Sequence, residues 1–135
     1  MDQVQFTDVV LLNILFRRHF TNTRTIGLFF EEKAVEYLTQ KSYIILERNY
    51  QCRMGEIDIV AKDKDDTIVF FEVKARRTKY YGYAGEAITP AKQKKIINCA
   101  RKYILDKNLS MDQAFRFDAI LYDGAKMTHI KNAFF

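Results

Sequence analysis

Cysteine is nearly absent from this 135-residue chain: Cys52 and Cys99 are the whole complement, far apart and without ligand-type spacing. That argues against a zinc site and points to free thiols in a reducing, cytoplasmic setting. There is no phosphate-cradling glycine loop, no nucleophile motif, no internal repeat and no low-complexity segment. Long apolar runs are missing too. The best is Phe6–Phe20, short of the roughly 20 residues a bilayer requires. Asp2 lies before this run and Asp8 near its start, ahead of its apolar part, and no small-residue cleavage site follows, so it does not read as a secretory leader. It reads first as a short helix packed on its own domain, second as a helix exchanged between two chains, and third as a peripheral membrane contact. Charge of one sign is in modest excess: 22 basic against 17 acidic residues give +5, compatible with a phosphate-bearing partner without requiring one.

What is present centres on two apolar runs with charges in their middles, Gly55-Glu56-Ile57-Asp58-Ile59-Val60 and Phe70-Phe71-Glu72-Val73-Lys74-Ala75. Both read as strands, joined by the polar turn Lys62–Thr67 as a hairpin. Strand alternation puts Asp58 with Glu56 and Val60, away from Ile57 and Ile59, and puts Glu72 and Lys74 with Ile68 and Phe70. A hairpin closing symmetrically about Asp65 sets Asp58 opposite Glu72. Directly opposed side chains have Cβ atoms roughly 5 Å apart. Two carboxylates that close repel unless a proton or cation lies between them. Their oxygens suit Mg²⁺ or Mn²⁺, with Lys74 placed to orient a water or to stabilise developing phosphate charge. Charged alternation is also common on half-exposed strands, so spacing alone leaves an ordinary solvated edge hairpin open.

Around the hairpin the chain reads as α/β, one domain over 25–135 with an N-terminal helical extension over 1–24. Thr21–Thr25 reads as a polar joint, and Gly27 to about Lys41 as a helix with Ala34, Val35 and Leu38 inward and Glu32, Glu36 and Gln40 wet. Glu31 falls on the inward stripe and needs a partner there. Ser42–Tyr50 is a strand centred on Tyr43–Leu46, with Arg48 and Arg53 as weak candidates for phosphate contact. Thr89 and the sole proline, Pro90, open a second helix running to about Asp106, with Ile96, Ile97, Ala100, Tyr103 and Ile104 inward. Phe115–Tyr122 returns as a strand parallel to its neighbour, and Met127–Ile130 closes the sheet. Arg116 and Asp118 share a face as a structural ion pair first and a site component second. His129 reads as structural.

Between Lys74 and the second helix, Arg76, Arg77, Lys79, Tyr80, Tyr81 and Tyr83 interleave cations and rings without apolar periodicity. This segment suits a loop closing on a nucleic-acid backbone, cations on phosphates and rings on unpaired bases. A tyrosine-rich loop folded onto its own domain is the competing reading.

Asp58 and Glu72-Val73-Lys74 together resemble the Asp…Glu-x-Lys signature of the restriction-endonuclease-like, PD-(D/E)XK, nucleases. The longer string is more specific. Gly27, Glu31 and Ala34, Arg48-Asn49, Gly55–Asp58, Phe71–Lys74 with Arg76, Lys92, Arg116–Asp118 and Asn132–Phe134 resemble the YraN-like family of small bacterial proteins. The departure is Phe30, where the family usually has glycine. The resemblance implies a central mixed sheet, an antiparallel meander plus a parallel strand, flanked by helices. It implies a Mg²⁺- or Mn²⁺-dependent endonuclease acting on DNA, including branched or otherwise structured DNA, with Asp58 and Glu72 as metal ligands. Glu31 would support them from the first helix, Lys74 would orient the attacking water, and Arg76 and Lys92 would contact phosphate; from the residues themselves, Arg77 and Lys79 of the basic loop are further phosphate candidates and Gln93, leading the apolar stripe of the second helix, a supporting one. A nuclease of this size is expected to act as a homodimer, and no membrane is expected. The alternative from another class is a nucleic-acid-binding or scaffold protein of recombination or repair without turnover.

Overall fold

A computed structural model describes residues 23–76 and 88–135. The element order is α1 (Thr23–Gln40), β1 (Ile44–Cys52), β2 (Gly55–Lys62), β3 (Ile68–Arg76), α2 (Pro90–Asp106), β4 (Phe115–Asp123) and β5 (Lys126–Ile130). The strands form one mixed sheet in the order β1-β2-β3-β4-β5. β1, β2 and β3 make an antiparallel meander, β4 runs parallel to β3 after the α2 crossover, and β5 returns antiparallel to β4. This is the α/β mixed sheet expected from the pattern. Of the expected extension, residues 1–22 lie outside the described residues, as does the segment 77–87 that carries Arg77, Lys79 and the tyrosines.

Among the described residues, each face of the sheet carries one helix and one apolar layer. Under α1, Phe30, Ala34 and Leu38 pack on Ile59, Ala61, Val69, Phe71, Ile120 and Tyr122. Under α2, Ile96, Cys99, Ala100 and Tyr103 pack on Ile57, Val60, Phe70, Phe117 and Leu121. Both strands of the central hairpin are therefore covered on two sides, which explains their near-continuous apolar runs. Phe30 is completely buried, its ring 4.8 Å from that of Tyr122. The aromatic thus fills the α1 layer, while Glu31, the next residue, interacts with Asp58 on β2.

Four expectations need correction. Thr23–Thr25 are not a loop but the first turn of α1; Ile26, Phe29 and Phe30 pack on the sheet, and tertiary packing outweighs the weak helix propensity of threonine. The apolar centre of β1 is half outside, with Ile44 and Leu46 exposed, because β1 is an edge strand and only alternate residues face the core. Strict alternation in β2 fails around Asp58: Ile57 joins the α2 layer and Ile59 the α1 layer. Finally, the two cysteines are not free thiols. Cys52 and Cys99 form a disulfide with Cα atoms 5.6 Å apart. Cys52 ends β1 and Cys99 lies on the buried stripe of α2, which crosses that end of the sheet; sequence distance carries no information about this meeting.

Candidate functional site: a carboxylate cluster at the end of the hairpin

The β2–β3 turn sets the register. Oδ1 of Asp63 accepts from the amides of Asp65 (2.9 Å) and Thr67 (3.0 Å), an Asx-type closure, and Asp66 takes a positive φ of 64°. The ladder then runs Lys62↔Ile68, Ala61↔Val69, Val60↔Phe70 and Ile59↔Phe71, symmetric about Asp65 as expected. It stops one pair short of Asp58 and Glu72. There the carboxylate of Asp58 substitutes for the next backbone acceptor: Oδ2 takes a 2.8 Å hydrogen bond from the amide of Val73. The end of the ladder is thus where an acidic side chain enters the sheet, and where β2 departs from strict alternation.

Asp58 stands between two other carboxyl groups. Glu31 approaches it from α1 and Glu72 from β3, and both interact electrostatically with it. Asp58 and Glu72 are buried, at 8% and 6% exposure. Burial, then repulsion from Asp58, pushes the carboxyl of Glu31 up to about 7 and that of Glu72 up to about 8. Asp58 is itself raised, chiefly by burial, against the opposing hydrogen bond from Val73. Oε2 of Glu72 is buried with no hydrogen-bond partner. The three acids do not form a closed cage: among the described residues no group of three or more His, Cys, Asp or Glu side chains stands in metal-ligand arrangement.

The cations sit on both sides. Nζ of Lys92, in the first turn of α2, lies 3.7 Å from Oε1 of Glu72 and also acts on Asp58. Thr89 caps that helix by accepting from the Lys92 amide at 3.2 Å, which fixes the position of the lysine. Lys74 is exposed on β3 and its charge acts on Glu72. Gln93 holds the α2 entry, its Nε2 donating to the Ile88 carbonyl at 3.1 Å. Arg76 ends β3, paired in register with Asp123. Arg48 is engaged by Glu32 at 3.0 Å.

A second buried carboxylate on the same sheet makes the contrast. Asp118 is fully buried, yet its oxygens accept from Arg116 (2.8 and 3.0 Å) and the Asn132 amide (3.0 Å) and meet Nε2 of His129 at 2.8 Å. Burial alone would raise it; these hydrogen bonds hold it below the usual carboxylate range. Nδ1 of His129 continues to the Tyr37 hydroxyl at 2.8 Å, and Arg116 to Asp63 at 3.1 Å and to Tyr43 at 3.1 Å. Arg116, Asp118 and His129 are therefore structural in geometry, a satisfied network that ties β4 and β5 to α1 and to the hairpin turn. The cluster around Asp58 is the opposite case, with like charges buried together.

Over the described residues, fold and site define a small α/β protein with a mixed sheet, a helix on each face, and an acidic cluster where the central hairpin parts. A family profile described as "Uncharacterised protein family UPF0102" matches residues 30–122. A UPF0102 protein of Clostridium botulinum (strain Hall) is 48% identical over 122 residues, covering 86% of this chain and 98% of the relative. One from Fusobacterium nucleatum is 47% identical over 111 residues, covering 82% and 92%. The chain belongs to the UPF0102 family, the YraN-like proteins.

Proposed function

We propose that this protein is a divalent-metal-dependent endonuclease of restriction-endonuclease-like type, hydrolysing phosphodiester bonds in DNA. The observation that carries the reading is the partnerless, buried Oε2 of Glu72 beside the carboxylate of Asp58. Holding like charges together out of water is costly, and a bound cation turns that cost into binding energy. The donor set is all hard oxygen, which fits Mg²⁺ or Mn²⁺, and Mg²⁺ commonly takes one or two carboxylates and keeps several waters. An open pair of ligands, Asp58 and Glu72, with Glu31 reached through a water, meets that requirement better than a closed cage.

A cation so held would lower the pKa of a bound water and stabilise charge on the phosphoryl oxygens. Lys74, exposed beside Glu72, orients the attacking water and offers a proton-donating ammonium to the developing negative charge. Lys92 balances the charge of Glu72 and, once a phosphate enters, can turn toward it. Val73 fixes the rotamer of Asp58 through its amide. Glu31, poised near neutrality, accepts or releases a proton at its carboxylate as the site fills. Cutting both strands of a duplex would take two such chains, so a homodimer is part of the proposal, as are Arg76, Arg77 and Lys79 as phosphate contacts. A scaffold without turnover would bind DNA equally well with neutral residues at 58 and 72, and gives no use to their burial.

The test is nicking of supercoiled, single-stranded and four-way-junction DNA with Mg²⁺ or Mn²⁺, by wild type and Lys74→Ala. Cleavage that depends on metal and falls at least 100-fold (roughly, as for loss of one electrostatic donor) supports the reading. Equal cleavage by both proteins would mean a contaminant.

A further inference from the structure

One stripe of α2 links the carboxylate cluster to the β1–β2 turn. Lys92, Lys95 and Cys99 follow at helical spacings of three and four and so share a face. Lys92 meets Glu72. Lys95 packs over Gly55, with only 3.6 Å between its Cβ and the place a Cβ would occupy on that glycine. Cys99 is bonded to Cys52, the last residue of β1. The turn Arg53-Met54 is thus pinned to the helix at two points, the disulfide behind it and the Gly55–Lys95 contact ahead of it. Arg53 and Lys95 are both exposed, and no carboxylate among the described residues pairs with either. Arg48, Lys102, Lys107 and Arg116 each have an acidic partner; among the described residues Lys62, Lys64 and Lys94 do not, and what distinguishes Arg53 and Lys95 is their place beside the anchored turn on the Lys92 stripe.

We infer that Arg53 and Lys95 form a phosphate-binding pair that holds the DNA strand one step away from the phosphate presented to Asp58 and Glu72. The geometry suits a strand backbone: Lys92 and Lys95 are offset by about 4.5 Å along the helix axis, and successive phosphates on one strand advance by about 3.4 Å of duplex axis. Two cations from different elements, on backbones anchored to each other by the disulfide beside the turn, would give register along the backbone without reading bases. Gly55 is favoured here by its φ of 155°, which L side chains rarely adopt, and it lies in van der Waals reach of Lys95. The inference rests on the nuclease reading for the phosphate at Asp58, and the experiment separates the two.

Binding of fluorescein-labelled single-stranded and duplex DNA is measured by anisotropy in EDTA across roughly 50 to 200 mM salt. The proteins are wild type, the Arg53→Ala/Lys95→Ala double variant, the charge-keeping Arg53→Lys/Lys95→Arg variant, and Lys64→Ala at the far end of the hairpin. The double variant is expected to bind about tenfold more weakly at low salt, equally for all sequences, with a log–log salt slope smaller by about 1.5 to 2. The charge-keeping variant and Lys64→Ala are expected to match wild type. An unchanged slope in the double variant, an equal loss in Lys64→Ala, or no binding by wild type overturns the inference. Metal-dependent cleavage is read in parallel. Binding loss in the double variant with no cleavage by wild type sinks the nuclease reading alone; cleavage by wild type with identical KM in the double variant sinks the phosphate pair alone.

Discussion

The amide of Val73 donates a 2.8 Å hydrogen bond to Oδ2 of Asp58, across the point where the β2–β3 ladder has already ended. Through this bond the backbone of one strand holds the acid of the other in the position where Glu31 and Glu72 crowd it. Asp58→Asn retains an oxygen to accept from Val73 and removes the shared negative charge. In EDTA at pH 8 the variant is expected to be more stable than wild type, because burial penalises the charged acid it replaces. Its melting temperature is expected to ignore Mg²⁺ and Mn²⁺. Thermal shift with and without metal checks both statements; a metal-induced rise that survives Asp58→Asn would place the ion elsewhere.

The raised carboxyls set a pH dependence of definite sign. Glu31 and Glu72 keep their protons in the folded state up to about 7 and about 8, whereas the unfolded chain releases them near the ordinary value of 4.5. Between those limits the native state binds more protons, so stability falls as pH rises. From pH 4.5 to pH 8 in EDTA the loss is expected to be on the order of a few kcal/mol, measured by urea unfolding at a series of pH values. Metal is expected to reverse the trend, because it binds the deprotonated acids and gains affinity over the same range. Stability that is flat or rising from pH 5 to 8 in EDTA would contradict the assignment. Asp118 and Asp63, held low by their hydrogen bonds, contribute stability that is lost only in stronger acid.

Asp118→Ala is expected to be a stability variant. It strands Arg116 and His129 and the Asn132 amide in a half-buried network, a loss of about 3–5 kcal/mol for a broken buried pair. Chemical denaturation measures the loss. A metal-induced thermal shift of ordinary size in the surviving folded protein would separate this network from the Asp58 cluster; loss of the shift would join them.

Reducing the disulfide opens a closure spanning 47 residues, and on chain-entropy grounds costs about 4 kcal/mol. Cys52→Ser is expected to lower the melting temperature, and reductant to do the same to wild type and nothing to the variant. Titration of thiols in the folded, unreduced protein finds none if the bond is present; two would contradict it.

How much of this was legible in the chain depends on the range of the interaction. The hairpin register followed from local turn chemistry, since Asp63 closes the turn and symmetry about Asp65 carries outward pair by pair. The second helix was legible from Thr89 and Pro90, whose capping geometry is local as well. The crossover fixed the parallel β3–β4 pairing. What periodicity missed needed three dimensions. The Cys52–Cys99 bond depends on where α2 crosses the sheet, and the departure of Ile57 from alternation depends on the ladder ending at Ile59. Lys92 was legible as a helix-start cation with phosphate as its expected partner, whereas its contact with Glu72 required the α2–β3 packing. Glu31 was visible as an acid on an inward stripe, and only the fold shows that its neighbour is Asp58.

Mn²⁺ binding to the wild-type protein and to Asp58→Asn, followed by electron paramagnetic resonance from pH 6 to pH 9, meets the claim head on. One ion per chain is expected, bound more tightly as pH passes about 8 and lost in the variant. Equal binding by the two proteins, or no binding by either, would contradict a cation shared by Asp58 and Glu72.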